Sequence, residues 1–277
     1  MGTRAIHIEV IESMDSSSFL NALRRFFSIG GPVKQIRSDC GTNFIGACRE
    51  LKMEAVQSNK EVQEYLNHKG CTWVFNPPHS SHMGGSWERM IGITRCILDS
   101  MMLKVGSSKL THEVLTTFMA EVSAFVNARP LVPVSTDPDS PFILMPATLL
   151  TQKVAVVLPP QGEFDDKDLF KRQWRQVQSL ANTFWHRWRT EYLPTLQSRR
   201  KWQTEKPNLK EGDIVTLKDS QLKRNDWPMG IIMKTFPGRD GKVRKVDVKT
   251  AREASCNIFL CPVSETVLLL LSPETDK

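Results

Sequence analysis

The residues best placed to do chemistry are two acids 49 positions apart, Asp39 and Glu88. Asp39 lies in "IRSDCGTNF" (36–44), at the mouth of the short apolar run Val33-Lys-Gln-Ile36, which reads as a strand. Cys40-Gly41 turns the chain at once, so Asp39 alone is ordinary turn chemistry. Glu88 follows the glycine-bearing loop "HMGGSWER" and falls in the first turn of a helix, where the helix dipole favours an acid in any case. Taken together they ask for more. A strand-end Asp and a helix-borne Glu converge if the helix packs beside that strand. Two-metal phosphoryl chemistry needs such carboxylates to hold two Mg2+ or Mn2+ ions roughly 4 Å apart. Arg95, two helical turns beyond Glu88, and Asn43, beside Asp39, are the neighbours that would position DNA.

Elements that would carry these groups are legible in outline. Ala5–Ile11, in "RAIHIEV", reads as a strand. Asp15 caps an amphipathic helix with Phe19, Leu20, Leu23, Phe26 and Phe27 on one face, stopped by Gly30-Gly31. After the strand that ends at Asp39 come helical stretches over Ile45–Val56 and Lys60–His68, the strand "CTWVF" (71–75) and the loop "NPPHSSHMGG" (76–85). The helix bearing Glu88 and a second one over Leu110–Asn127 complete an alternating α/β order. Residues 128–160 are Pro-rich and irregular. Asp165–Trp202 then reads as one long helix with Phe170, Trp174, Val177, Ala181, Phe184, Trp185 and Trp188 at helical spacing and a break at Pro194. Beyond Pro207 the period changes to short β segments, "DIVTLKD", "GIIMKTF" and "KVRKVDVKT", around a "GRDG" turn. That is a small barrel or sheet.

Charge separates the two ends. The net charge is +7, and the stretch Arg199–Lys249 holds 14 Lys/Arg against 7 Asp/Glu, which leaves the rest of the chain neutral. An anionic partner, nucleic acid first, is therefore assigned to the C-terminal segment. Lys218, Lys223, Arg224, Lys242, Arg244 and Lys245 are expected along one rim of the barrel, touching phosphates and carrying little base information. With about five phosphates neutralised, the log–log salt slope on duplex DNA would lie near −4 to −5. The six cysteines form no CxxC pair and read as reduced, intracellular thiols. Val267–Leu271 is too short to span a bilayer, which takes about 20 apolar residues, and "RAIHIEV" gives no secretory signal.

Four stretches, "TRAIHIEV", "IRSDCGTNFIGACREL", "WVFNPPHSSHMGGSWERMIG" and "NARPLVPVSTDPDSP", resemble the integrase of BEL/Pao-type LTR retrotransposons. "FWHRWRTEYLPTLQSRRKW", "GDIVTLKD" and "WPMGII" resemble the C-terminal region of the same polyproteins. The resemblance implies an RNase H-like core with a D…D…E metal site, in which Asp39 matches the second acid and Glu88 the third, with Mg2+ or Mn2+ as cofactor. It assigns the loop holding His79 and His82 to substrate DNA, which weakens the zinc reading that His68, Cys71 and these histidines otherwise invite. Three segments are implied: a core over 1–130 that is incomplete at its N-terminus, a Pro-rich arm and helical connector over 131–206, and a basic SH3-like domain over 207–271. The family's first acid lies on a strand upstream of "TRAIHIEV". Glu9 and Glu12 are the nearby acids, and Glu9 sits on the wrong strand to replace it. The expectation is thus a retroelement-derived integrase fragment that binds DNA in the nucleus, without strand-transfer activity as given, with homo-oligomers left open and no membrane partner. A non-catalytic DNA- or protein-binding relic and an RNase H-type nuclease are the competing readings.

Overall fold

The computed structural model describes residues 3–38, 71–75, 85–105, 110–133, 143–153, 158–196, 208–218, 224, 227–252 and 255–270. By contacts the chain divides into two compact units, one of Ile8–Arg89 and a larger one that comprises Met1–His7 and Met90–Lys277. The expected helices over 45–56 and 60–68 lie outside the described residues.

In the smaller unit, helix α1 (Ser16–Gly30) begins where Asp15 caps it, its carboxylate accepting from the Ser18 N–H at 2.7 Å. The helix stops at Gly31, whose φ of +85° is open to glycine at no steric cost. Strands β1 (Gln35–Ser38) and β2 (Thr72–Phe75) pair in parallel, Ile36 opposite Trp73 and Ser38 opposite Phe75. The apolar face read from the sequence does the packing. Leu23 and the fully buried Trp73 form the centre, with Phe19, Leu20, Phe26, Phe27 and Ile36 around them. This unit is helix packed on a parallel strand pair, and a full RNase H-like sheet is not present among its described residues.

The expected strand over Ala5–Ile11 is absent: that segment forms no ladder with any described strand. Its backbone groups find a side chain instead. The Ile6 N–H donates to Asn127 Oδ1 at 2.9 Å, and Asn127 Nδ2 donates back to the Ile6 carbonyl at 2.8 Å. A buried carboxamide thus mimics one rung of a strand partner. Arg129, also buried, donates to the carbonyls of Val126 and Arg4. The "NAR" of "NARPLVPV" is therefore a structural clasp.

The larger unit is a helical layer followed by a sheet. Helix α2 (Gly85–Val105) buries Ile97 and Met101, and α3 (His112–Asn127), capped by Thr111, buries Val114, Phe118, Val122, Phe125 and Val126. Within 128–160, expected to be irregular, lie a two-residue antiparallel pair, β3 (Val132–Pro133) with β4 (Ile143–Leu144), and the short helix α4 (Pro146–Thr151).

The long helix expected over 165–202 is two elements. A 3-10 helix over Asp166–Phe170 comes first, closed by reciprocal capping between Asp165 and Asp168; Lys171 is extended, and α5 runs Gln173–Leu196. The break follows from Asp168, whose buried carboxylate accepts from the Asp165 N–H (3.1 Å), Lys171 Nζ (2.8 Å) and Arg175 Nε (2.9 Å). Satisfying that carboxylate closes the chain into a tight turn. Pro194 lies inside α5, two residues before its last residue; it has no N–H to give back to the helix, which ends within that turn. Phe125, Phe184, Trp188 and Tyr192 stack in sequence, at 6.2, 6.3 and 4.8 Å between centroids, along the α3–α5 seam. Trp174, expected in that packing, is half exposed and lies edge-on to Phe164 instead.

Five antiparallel strands close the chain: β5 (Ile214–Leu217), β6 (Met229–Pro237), β7 (Val243–Arg252), β8 (Ser255–Pro262) and β9 (Thr266–Leu270). Their order is β8-β7-β6-β5-β9, so a hairpin meander is flanked by a last strand that returns beside the first. Val215, Ile232, Val246 and Val248 are its core. Helix α5 belongs to this packing too: Trp185 and Tyr192 both meet Trp227 edge-on, and Arg189 Nη2 donates to the Leu217 carbonyl at 3.2 Å.

Candidate nucleic-acid interface

The metal candidates can be placed only in part. β1 ends at Ser38, whose hydroxyl accepts from the indole N–H of Trp73 at 2.9 Å; the strand mouth just before Asp39 is thereby tied to the core. Asp39 and Asn43 themselves lie outside the described residues. Glu88 falls in the first turn of α2, as its position after the glycines predicts, and its side chain also lies outside the description. Among the described residues no group of three or more His, Cys, Asp or Glu could hold a metal ion. Arg95 projects into solvent from α2, 3.9 Å from Asp99 one turn on.

The basic segment is clearer, and it departs from a single continuous rim. Lys218 sits at the end of β5, exposed, its ammonium donating to the Ser264 carbonyl at 3.0 Å; a carbonyl leaves its charge intact. Lys242 and Lys245 are exposed at the start of β7. Arg244 is exposed as well, but both its terminal nitrogens engage Asp240 in the "GRDG" turn, at 3.0 and 2.6 Å. Those hydrogen bonds hold the Asp240 carboxyl below its ordinary pKa and raise that of Arg244, so the pair adds no net charge. Gly241, at φ +72°, lets that turn close.

Arg224 is not on any rim. It is only 5% exposed, its Nη2 donates to Gln178 Oε1 on α5, its guanidinium lies 4.0 Å from the Glu121 carboxylate on α3, and its carbon centre is 5.9 Å from the Phe125 ring. Burial pushes its pKa down, and Glu121 opposes that. The reason is packing: α3 and α5 offer it an amide, a carboxylate and a ring face where solvent would offer only water. Arg224 is therefore removed from the candidate phosphate contacts. Lys223 lies outside the described residues.

Strand alternation adds one cation, Lys234, to those read from the sequence. Phe236 pairs with Lys245 and Lys234 with Asp247, which puts these four on the solvent face of the meander, opposite Val246 and Val248. The signal in the sequence is the i, i+2 spacing of Lys234 and Phe236 in "MKTF", which puts both on one face of a strand.

A model of a family of unknown function (DUF5641) matches residues 172–264, from the start of α5 to the 3-10 turn after β8. The matched span is thus α5 and four of the five strands, with Trp185, Tyr192 and Trp227 inside it and β9 beyond it. No curated protein matches the chain. Among solved structures, it is similar to a chain in the intasome of simian T-cell lymphotropic virus, determined in complex with PP2A regulatory subunit B56 gamma. The identity is 12% and the TM-score 0.31, covering 92% of this chain and 65% of that one.

Proposed function

We propose that this chain is an integrase-derived, nucleic-acid-binding protein whose C-terminal sheet is an SH3-like barrel that grips duplex DNA by its phosphates. One observation carries the reading: the segment that owns all the net charge supplies β5, β6 and most of β7 of a five-stranded sheet in the order β8-β7-β6-β5-β9, with a 3-10 turn before the last strand, and presents Lys218, Lys242 and Lys245 to solvent. That order, a meander with the final strand returning beside the first, is the one an SH3-like barrel requires. Descent from a BEL/Pao-type integrase rests on the motifs around Asp39, Glu88 and Asn127. In that reading Asp39 and Glu88 would hold Mg2+ or Mn2+, and the protein acts in the nucleus. A bound divalent ion would supply charge stabilisation for phosphoryl transfer.

Binding of a short labelled duplex by the full chain tests the reading. Lys218→Ala, Lys242→Ala and Lys245→Ala should each weaken binding at low salt, alike for unrelated sequences. Retained affinity in the triple variant would leave the basic segment a solvated surface. A separate titration with Mn2+, followed by its paramagnetic signal, addresses the acids: Asp39→Asn and Glu88→Gln should each lower its affinity, whereas a non-catalytic relic would show no change.

A further inference from the structure

The solvent face of β6–β7–β8 carries more apolar surface than a solvated sheet needs. Ile258 and Leu260 of β8 are exposed on it, at 61% and 59%; Phe259 between them pairs with the core residue Val248 and belongs to the other face. By register Ile258 lies beside Lys249 and Leu260 beside Asp247, which is in turn opposite Lys234. Phe236, 38% exposed, lies next to Lys245 in the adjoining row, with the Lys234 ammonium 5.4 Å from its ring centre. Neighbouring strands are about 4.8 Å apart, so Phe236, Leu260 and Ile258 share a single patch threaded by Lys234, Lys245 and Lys249. Among the described residues Asp247 is its one acid.

We infer that this face is a platform for single-stranded nucleic acid, with unpaired bases resting on Phe236, Leu260 and Ile258 and phosphates beside the three lysines. Charge decides against a second copy of the chain, since two such faces would bring lysines against lysines with one acid each to offset them. It favours a polyanion. The exposed ring and aliphatic groups then decide the form of that polyanion. In a duplex the base faces are stacked on one another and only phosphates and groove edges are offered. An unpaired strand presents base faces that aromatic and apolar side chains can cover. The inference goes beyond duplex binding by the same sheet: duplex affinity belongs to charges, and single-strand affinity belongs also to Phe236.

The test compares full-chain binding of a labelled oligothymidine with binding of a duplex of equal length. Phe236→Ala should weaken single-strand binding about tenfold, in line with the loss of one base–aromatic contact, and leave duplex binding within about twofold. Phe236→Trp should restore it. Phe236 packs outside the core, so both variants should keep the wild-type melting transition. Equal losses on both ligands, or no loss on oligothymidine, would overturn the platform. So would an unchanged oligothymidine affinity accompanied by altered self-association in sedimentation, which would give the face to a second copy. Failure of duplex binding by the wild-type chain would instead count against the proposed function.

Discussion

At the scale of single residues, a glycine in the sheet and an arginine in the connection between β5 and β6 are tightly placed. A Cβ on Gly230 would stand 2.3 Å from Val248 Cγ1 and 2.7 Å from the Lys249 carbonyl, where Gly230 opposite Thr250 opens the β6–β7 ladder. Gly230→Ala should therefore destabilise the protein by about 1–3 kcal/mol, the cost of overpacking, read as a lower denaturant midpoint at unchanged slope. Arg224 makes an opposite distinction between packing and charge. Arg224→Ala strips a charged hydrogen bond from Gln178 and the ion partner from Glu121, so stability should fall by about 2 kcal/mol. DNA affinity, measured well below the melting temperature, should not change. A reduced salt dependence in this variant would return Arg224 to the phosphate contacts.

At the scale of elements, Asp168 governs how α5 begins. Arg175 and then Lys171, both bonded to its carboxylate, hold its pKa far below the ordinary carboxylate value. The folded chain therefore binds fewer protons at this site than the unfolded chain. The resulting stability is complete above about pH 4, the unfolded value, and drains away as the pH falls toward the folded one. Asp168→Asn should lower the melting temperature at pH 7, and the gap from wild type should narrow as both are melted at progressively lower pH. A gap constant with pH would place the effect elsewhere. This element also shows the limits of pattern. Apolar spacing placed α1 with its face, β1, β2, α3 and the β5–β7 segments, because each is decided within a few residues by caps, period and glycine. It ran one helix through Lys171, because a carboxylate meeting two cations across a turn leaves no periodic trace. It made a strand of Ala5–Ile11, because strand propensity says nothing about whether a partner lies alongside. The partner turned out to be the Asn127 side chain. Likewise the position of Glu88 in a helix was readable, while the burial of Arg224 depends on α3, some 100 residues earlier in the chain.

For the whole molecule, the decisive quantity is how many phosphates the chain neutralises. With Arg224 buried and Arg244 matched by Asp240, the six candidates read from the sequence reduce to four: Lys218, Lys242 and Lys245, which are exposed, and Lys223, which lies outside the described residues. Each phosphate contact contributes roughly −0.9 to the slope of log affinity against log salt on duplex DNA. The most direct measurement is that slope, for the full chain on two unrelated duplexes across a salt series. The account predicts a slope of roughly −3 to −4, the same for both sequences, and shallower by about 0.9 for each of Lys218→Ala, Lys242→Ala and Lys245→Ala. A flat slope, or one that the three variants leave untouched, would contradict it.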